Sequence, residues 1–203
     1  MTDQGRKLTQ QDFKDAAALI GGICTHPHIK AVAEVESSGD GFGHDGRPRI
    51  LFEAHWFSKL TGGVWDHQFP SVSSAKWNRK LYTGSHSGEW GRFDLAEGLN
   101  KLAAIQAASW GLFQIMGFNY RTCGFQSPED FRWHMERDER EQLFAFVKFI
   151  IAKGLRDELE TGDWAGFARQ YNGPGFAENR YDQKLEAAFK KHNQFSHKEW
   201  GTV

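Results

Sequence analysis

Glu36 closes a helix-like run from Pro27, and Ser37-Ser38-Gly39-Asp40-Gly41-Phe42 follows at once. Ile29, Val32 and Glu36 lie at i, i+3 and i+7, so the carboxyl shares a stripe with apolar side chains. A charge on the buried face of a helix is costly unless paired or protonated. It also falls in the last turn, where the helix dipole disfavours a negative group. Both effects raise a carboxyl pKa, and an acid held neutral near pH 7 can protonate a leaving group. Glu34 points away from that stripe and reads as solvated. Two further carboxyls follow: Asp45 in a Gly-rich turn and Glu53 at the end of a short strand.

Other chemistries find less support. His26, His28, His44, His55, His67 and His86 are numerous, but no His-Glu-x-x-His or paired Cys-x-x-Cys spacing joins them, so no metal and no cofactor is expected. No Gly-x-Ser-x-Gly elbow supports a serine nucleophile. Cys24 and Cys123 are too few for a disulfide framework and read most simply as buried thiols, although one bridge stays open. The run Glu136 to Glu141 reads as a solvated helix face.

The elements that must position these groups are mostly helical. Thr9 with Asp12 marks a capping box for a helix over 10–20, closed by Gly21-Gly22. A strand over 49–53 and a short helix over 54–60 follow the Gly-rich turn, and 63–92 reads as aromatic, polar loop. Asp94 opens a helix through Ala108, and 112–116 reads as a short apolar helix. Ser127-Pro128 starts the longest helix, running to about Lys153. Helices over 163–171 and 177–191 finish the chain, with a frayed tail after His192. The reading is one α+β domain over 1–203, mostly helical with one small antiparallel sheet, able to form a cleft between two lobes.

Bulk properties are ordinary for a soluble chain: 203 residues, 39% apolar, 25% charged, net charge −1, which does not point to nucleic acid or anionic membrane. Eight Trp and seventeen Phe are a heavy aromatic load; Trp56, Trp65, Trp77 and Trp90 fall outside periodic helices and could be loop platforms, though most aromatics are core. No apolar h-region opens the chain, and the longest apolar run, Phe144 to Ile151, is broken by Lys148.

Three segments stand in order: Glu36-Ser37, then Ser109-Trp110-Gly111-Leu112-Phe113-Gln114-Ile115-Met116, then Tyr171-Asn172-Gly173-Pro174. This set resembles the lysozyme superfamily, where goose-type lysozymes and soluble lytic transglycosylases carry a similar trio. It is more similar to the phage and bacterial N-acetylmuramidase domain family of endolysins, through Gly41-Phe42, the run Gly46 to His55, Ser109 to Tyr120 and Tyr171 to Gly175. The resemblance spans about residues 14–190. It implies a two-lobed lysozyme-like fold and hydrolysis of the bond between N-acetylmuramic acid and N-acetylglucosamine in peptidoglycan. It also implies a setting: synthesis in a host cytoplasm, holin-dependent release, and action on the wall in the periplasm. The expected partner is the glycan strand, met by a monomer with no membrane insertion and no separate wall-binding domain.

Under that resemblance Glu36 is the expected proton donor. The second carboxyl is Glu53 or Asp45, and a strand end holds a side chain more rigidly than a turn, which favours Glu53. Neither acts directly if the substrate's own acetamido group takes the role, as in lytic transglycosylases. Ser109, Trp110, Gln114, Tyr171 and Asn172 are the expected substrate-binding residues: Trp110 for stacking on a sugar, Gln114 and Asn172 for amide contacts, Tyr171 for orienting the Glu36 carboxyl. Each has an ordinary alternative. Glu53 could pair with Arg47, Arg49 or His55; Trp110 and Tyr171 could be core; Gln114 could serve a backbone group; Ser109 could be a helix cap; Asn172 could serve its turn. The competing functions are a lytic transglycosylase, a zinc amidase or endopeptidase, and an inactive glycan-binding module. Lys184, Lys190 and Lys191 on the last helix could touch anionic lipid, or be simple solvation.

Overall fold

The computed structural model describes residues 7–37, 39–172 and 177–199, with the side chains of 172 and 195–199 left aside. Ten helices and a three-stranded sheet appear among the described residues. The first helix, α1 (Gln10–Ile20), begins where its capping box predicts: the Thr9 hydroxyl accepts from the Asp12 amide, and the Asp12 carboxylate accepts from the Thr9 amide at 2.8 Å. Helix α2 (His26–Glu36) buries Ile29 and Val32 fully, as their spacing demands, and packs along α1 and the last helix, α10 (Tyr181–Glu199). The chain remains helical past His192, where fraying was expected.

The sheet differs from expectation. Strand β1 (Ile50–Phe52) is where a strand was read, but β2 (Ala108–Trp110) was read as the last residue of a helix and the break after it, and β3 (Ile115–Met116) as the end of a short helix. The order is β1-β2-β3, antiparallel throughout, with Ile50 opposite Trp110 and Trp110 opposite Ile115. Strands of two or three residues show no period to recognise. The β2–β3 turn uses Gly111 at φ 69° and Gln114 at φ 48°. At Gly111 an added Cβ would run into the buried Gln142 side chain, so the turn is glycine for space as well as for backbone.

Helix α3 (Ala54–Leu60) follows Glu53 directly. Helix α4 (His86–Leu99) begins inside the expected loop, on a Ser85 hydroxyl that accepts from Gly88, and Asn100 both ends it and caps α5 (Lys101–Gln106). The single long helix expected from Ser127 is two, α6 (Pro128–Met135) and α7 (Glu139–Ala152), because Asp138 caps a fresh start through the Glu141 amide. The Glu136 to Glu141 run is therefore not one solvated face: Glu139 is 4% exposed and accepts from the Gly41 and Leu8 amides and Lys7. The short α8 (Arg156–Thr161) was not foreseen, and α9 (Trp164–Asn172) lies one residue from its expected bounds. Cys24 and Cys123 are buried free thiols, pushed up to about 11 and about 12 by burial.

The core between sheet and helices is aromatic. Trp90, Trp110 and Phe93 meet edge to face with centroids 5.1–5.8 Å apart. This is where much of the Trp and Phe content goes.

Candidate active site

Glu36 is the last residue of α2 and is only partly exposed. Burial pushes its carboxyl up to about 7, with the Lys184 charge pulling weakly the other way. Tyr171, on α9, packs among Phe146, Phe149 and Phe167. Its phenol is pushed strongly up, by burial first and by the Glu36 carboxylate next, so Tyr171 lies within electrostatic reach of Glu36. The expected pairing of Glu36 with Tyr171 is thus a juxtaposition in space, with Tyr171 also a packing residue. Glu34, the contrasting residue, is exposed and bonded to Lys191 at 2.9 Å and His192 at 2.8 Å, as a solvated role predicts.

Glu53 stands between β1 and α3, its amide tied to the Ala107 carbonyl across the sheet. Both carboxylate oxygens lie within reach of the Tyr82 hydroxyl, at 2.9 and 2.8 Å, and His55 Nδ1 is 3.2 Å from one of them. Trp77 in turn donates its indole N–H to the Tyr82 oxygen at 2.8 Å. Tyr82 has one proton to give, so at any instant one Glu53 oxygen keeps acceptor capacity. Burial and the Glu53 bond push the Tyr82 phenol up to about 12. Spacing did not reveal this clasp: Tyr82 lies 29 residues beyond its partner in the loop-like stretch.

Asp45 is more exposed and more thoroughly committed. Burial acts to raise its carboxyl, but Arg47 (backbone amide at 3.0 Å, Nε at 2.8 Å) and His86 (2.8 Å) hold it far below the usual carboxylate range.

The motif around Gln114 proves to be a braced turn. Ser109, 5% exposed, donates to Gln114 Oε1 at 2.8 Å, and Gln114 Nε2 donates to the Gly111 carbonyl at 2.8 Å and the Arg49 carbonyl at 3.4 Å. Gln142, outside any motif, pins the same turn from the core by accepting from the Leu112 amide at 2.7 Å. Ser109 and Gln114 therefore shape the wall, and Gln114 also faces an open cleft of about 540 Å³ that Arg49, Leu51, Arg79, Tyr82 and Glu89 help to line. Glu36 stands outside this cleft, on the helical side. Trp110 corrects an expectation: it is 1% exposed, donates to the Ile105 carbonyl at 2.9 Å and is enclosed by Trp90, Phe93 and Phe131, so it has no face for a sugar. Its alternative, a core residue, holds. Asn172 ends α9; its side chain and Gly173-Pro174-Gly175 lie outside the described residues.

No group of three His, Cys, Asp or Glu side chains placed to hold a metal ion occurs among the described residues. A partly buried acid with a raised pKa at a helix end and a clasped carboxylate at a strand end are the two kinds of carboxyl that acid-assisted cleavage of an acetal linkage uses. The family model for N-acetylmuramidase matches residues 25–193, which takes in both carboxyls and all three segments. The chain belongs to the N-acetylmuramidase family. It is a lysozyme-type glycoside hydrolase acting on peptidoglycan, on a lysozyme-like α+β fold. Among solved structures this muramidase is similar to the crystal structure of Burkholderia AP3 phage endolysin: TM-score 0.86, 38% identity, covering 93% of this chain and 73% of that one. No curated protein matches the sequence. No helix among the described residues is long and apolar enough to cross a membrane.

Proposed function

We propose that Glu36 protonates the glycosidic oxygen between N-acetylmuramic acid and N-acetylglucosamine, and that Glu53 is the second carboxyl. The observation that carries this is the withdrawal of Glu36 from water at the end of α2, which keeps half of its carboxyls protonated near pH 7. Glu53 then stabilises the oxocarbenium-like state, activates water or attacks; the Tyr82 and His55 contacts orient it for any of these. Asp45 is the weaker alternative, since Arg47 and His86 already engage both its oxygens. Gln114 offers the cleft a held amide edge, and Tyr171 buttresses Glu36.

The likeness to a phage endolysin supports a lytic setting: synthesis in a host cytoplasm, passage through a holin, and attack on the wall as a monomer without bound nucleic acid. Mass spectrometry of muropeptides released by the wild type and by Glu36→Gln, Asp45→Asn and Glu53→Gln variants tests the chemistry. New reducing N-acetylmuramic acid ends that disappear with Glu36→Gln are expected. 1,6-Anhydro ends would overturn hydrolysis, and full release by Glu36→Gln would overturn the proton donor.

A further inference from the structure

The cleft beside the Glu53 clasp carries an imbalance of charge. Of its acidic lining, Glu89 is 4% exposed and already accepts from the Phe52 amide, the Thr83 amide and hydroxyl, and the Arg92 guanidinium. His86 is held by Asp45 at 2.8 Å. Arg49 and Arg79 also line the cleft, and among the described residues neither guanidinium comes within ion-pair distance of a carboxylate. Arg49 Nε is moreover buried with no hydrogen-bond partner.

Resting on the muramidase reading above, we infer that this cleft is an anion subsite for the carboxylates of the peptide stem carried by N-acetylmuramic acid. The sugar rings of the strand are uncharged, and the lactyl carboxyl is spent in the amide that begins the stem. The carboxylates nearest the glycan are therefore those of the stem itself. Two guanidinium forks present the planar, paired donors that carboxylates fit. Tyr82 both lines the cleft and bonds Glu53, so a seated stem lies next to the carboxylate clasp. The subsite favours substituted strands over bare ones and fixes which sugar faces Glu53.

Binding, not turnover, tests it. Soluble glycan tetramers bearing tetrapeptide stems, and the same tetramers with stem carboxylates converted to amides, are titrated calorimetrically into the Glu36→Gln protein at low salt. The acid form is expected to bind roughly tenfold more tightly, about 1.4 kcal/mol. Adding Arg79→Gln should cut that preference at least threefold, and adding Arg49→Gln as well should abolish it. Arg79 is exposed on a single turn, so its variant decides the matter even if Arg49→Gln disturbs the fold. Equal affinity for both ligands, or a preference that survives Arg79→Gln undiminished, overturns the inference. Failure of the Glu36 reading would show differently, as cleaved glycan in the titration cell.

Discussion

The two sides of this molecule treat a carboxyl in opposite ways. The helical side withdraws Glu36 from water on an apolar stripe, at the dipole end that disfavours charge, with the Lys184 charge as a partial offset. The sheet side surrounds Glu53 and Asp45 with donors: a phenol, an imidazole, a guanidinium and a backbone amide. Acid hydrolysis of a sugar linkage needs both treatments at once, a group that will release a proton and a group that will face developing positive charge. The difference between the two sides is thus the source of the division of labour.

The largest test of that comparison is to neutralise the helical side. Glu36→Gln should lower the hydrolytic rate by roughly 10²–10⁴-fold, the usual span for a lost general acid. Stability should move in the opposite sense. The folded pKa of Glu36, about 7, lies above its ordinary 4.5, so between those values the folded protein holds a proton that the unfolded chain has lost. Wild-type stability therefore falls as pH rises through this window, by about 3 kcal/mol in all. Denaturant melts should show Glu36→Gln gaining on the wild type between pH 5 and 8. A variant that is both active and no more stable at pH 8 would erase the distinction between the two sides. The same titration predicts that wild-type turnover declines as pH passes through about 7.

The next test lies on the sheet side. Glu53→Gln should cost about 10²-fold in kcat with little change in KM, and Asp45→Asn clearly less, because Asp45 is engaged by Arg47 and His86. Tyr82→Phe should reproduce part of the Glu53 loss by freeing its carboxylate to wander. If Asp45→Asn proves the more damaging, the two carboxylates exchange roles and the clasp is a structural ornament of the loop.

How far these roles could be read from residue order follows from which forces act locally. Caps and periodic stripes are local: Thr9 with Asp12, Ser127-Pro128, and Ile29 and Val32 before Glu36 all lie where they were expected. The acid was legible because its burial follows from its own helix. The small sheet was not, since β2 pairs with a strand about 60 residues earlier and β3 is a two-residue strand that pairs only with β2. Helix α4 carries Gly88, Gly91 and Gly98, each costing helix stability, and is held by the burial of Trp90 and Phe93. Trp110 misled for a related reason: an aromatic in a motif is equally suited to stack on a sugar or to fill the core, and only the enclosing Trp90, Phe93 and Phe131 decide. Tyr82, Trp77 and Gln142 left no trace in spacing because their partners are distant in the chain.

Glu139 sharpens the contrast from a third position. It is buried more deeply than Glu36, and its oxygens accept from the Gly41 and Leu8 amides and Lys7, so its burial is matched by donors. Glu139→Gln should destabilise the fold by about 2 kcal/mol, lowering Tm by roughly 4–8 °C, by leaving buried donors mismatched. The pH profile of the surviving activity should keep its limb near 7. A shifted limb would mean that Glu139 is coupled to the acid.

The smallest expected effect is the most specific to Glu36. Lys184, exposed on α10, lowers the Glu36 pKa from across the α2–α10 contact, opposing the effect of burial. Removing that charge with Lys184→Gln leaves burial unopposed, so the carboxyl moves further up. The alkaline limb of turnover should shift to higher pH by a few tenths of a unit at low ionic strength, and the shift should fade in about 1 M salt, where charges at an exposed site are screened within roughly 3 Å. Turnover at pH 5, where Glu36 is protonated with or without the lysine, should be unchanged. A limb that moves downward, or a shift indifferent to salt, would show that the lysine acts by packing and that the proton lost near pH 7 belongs to some other group.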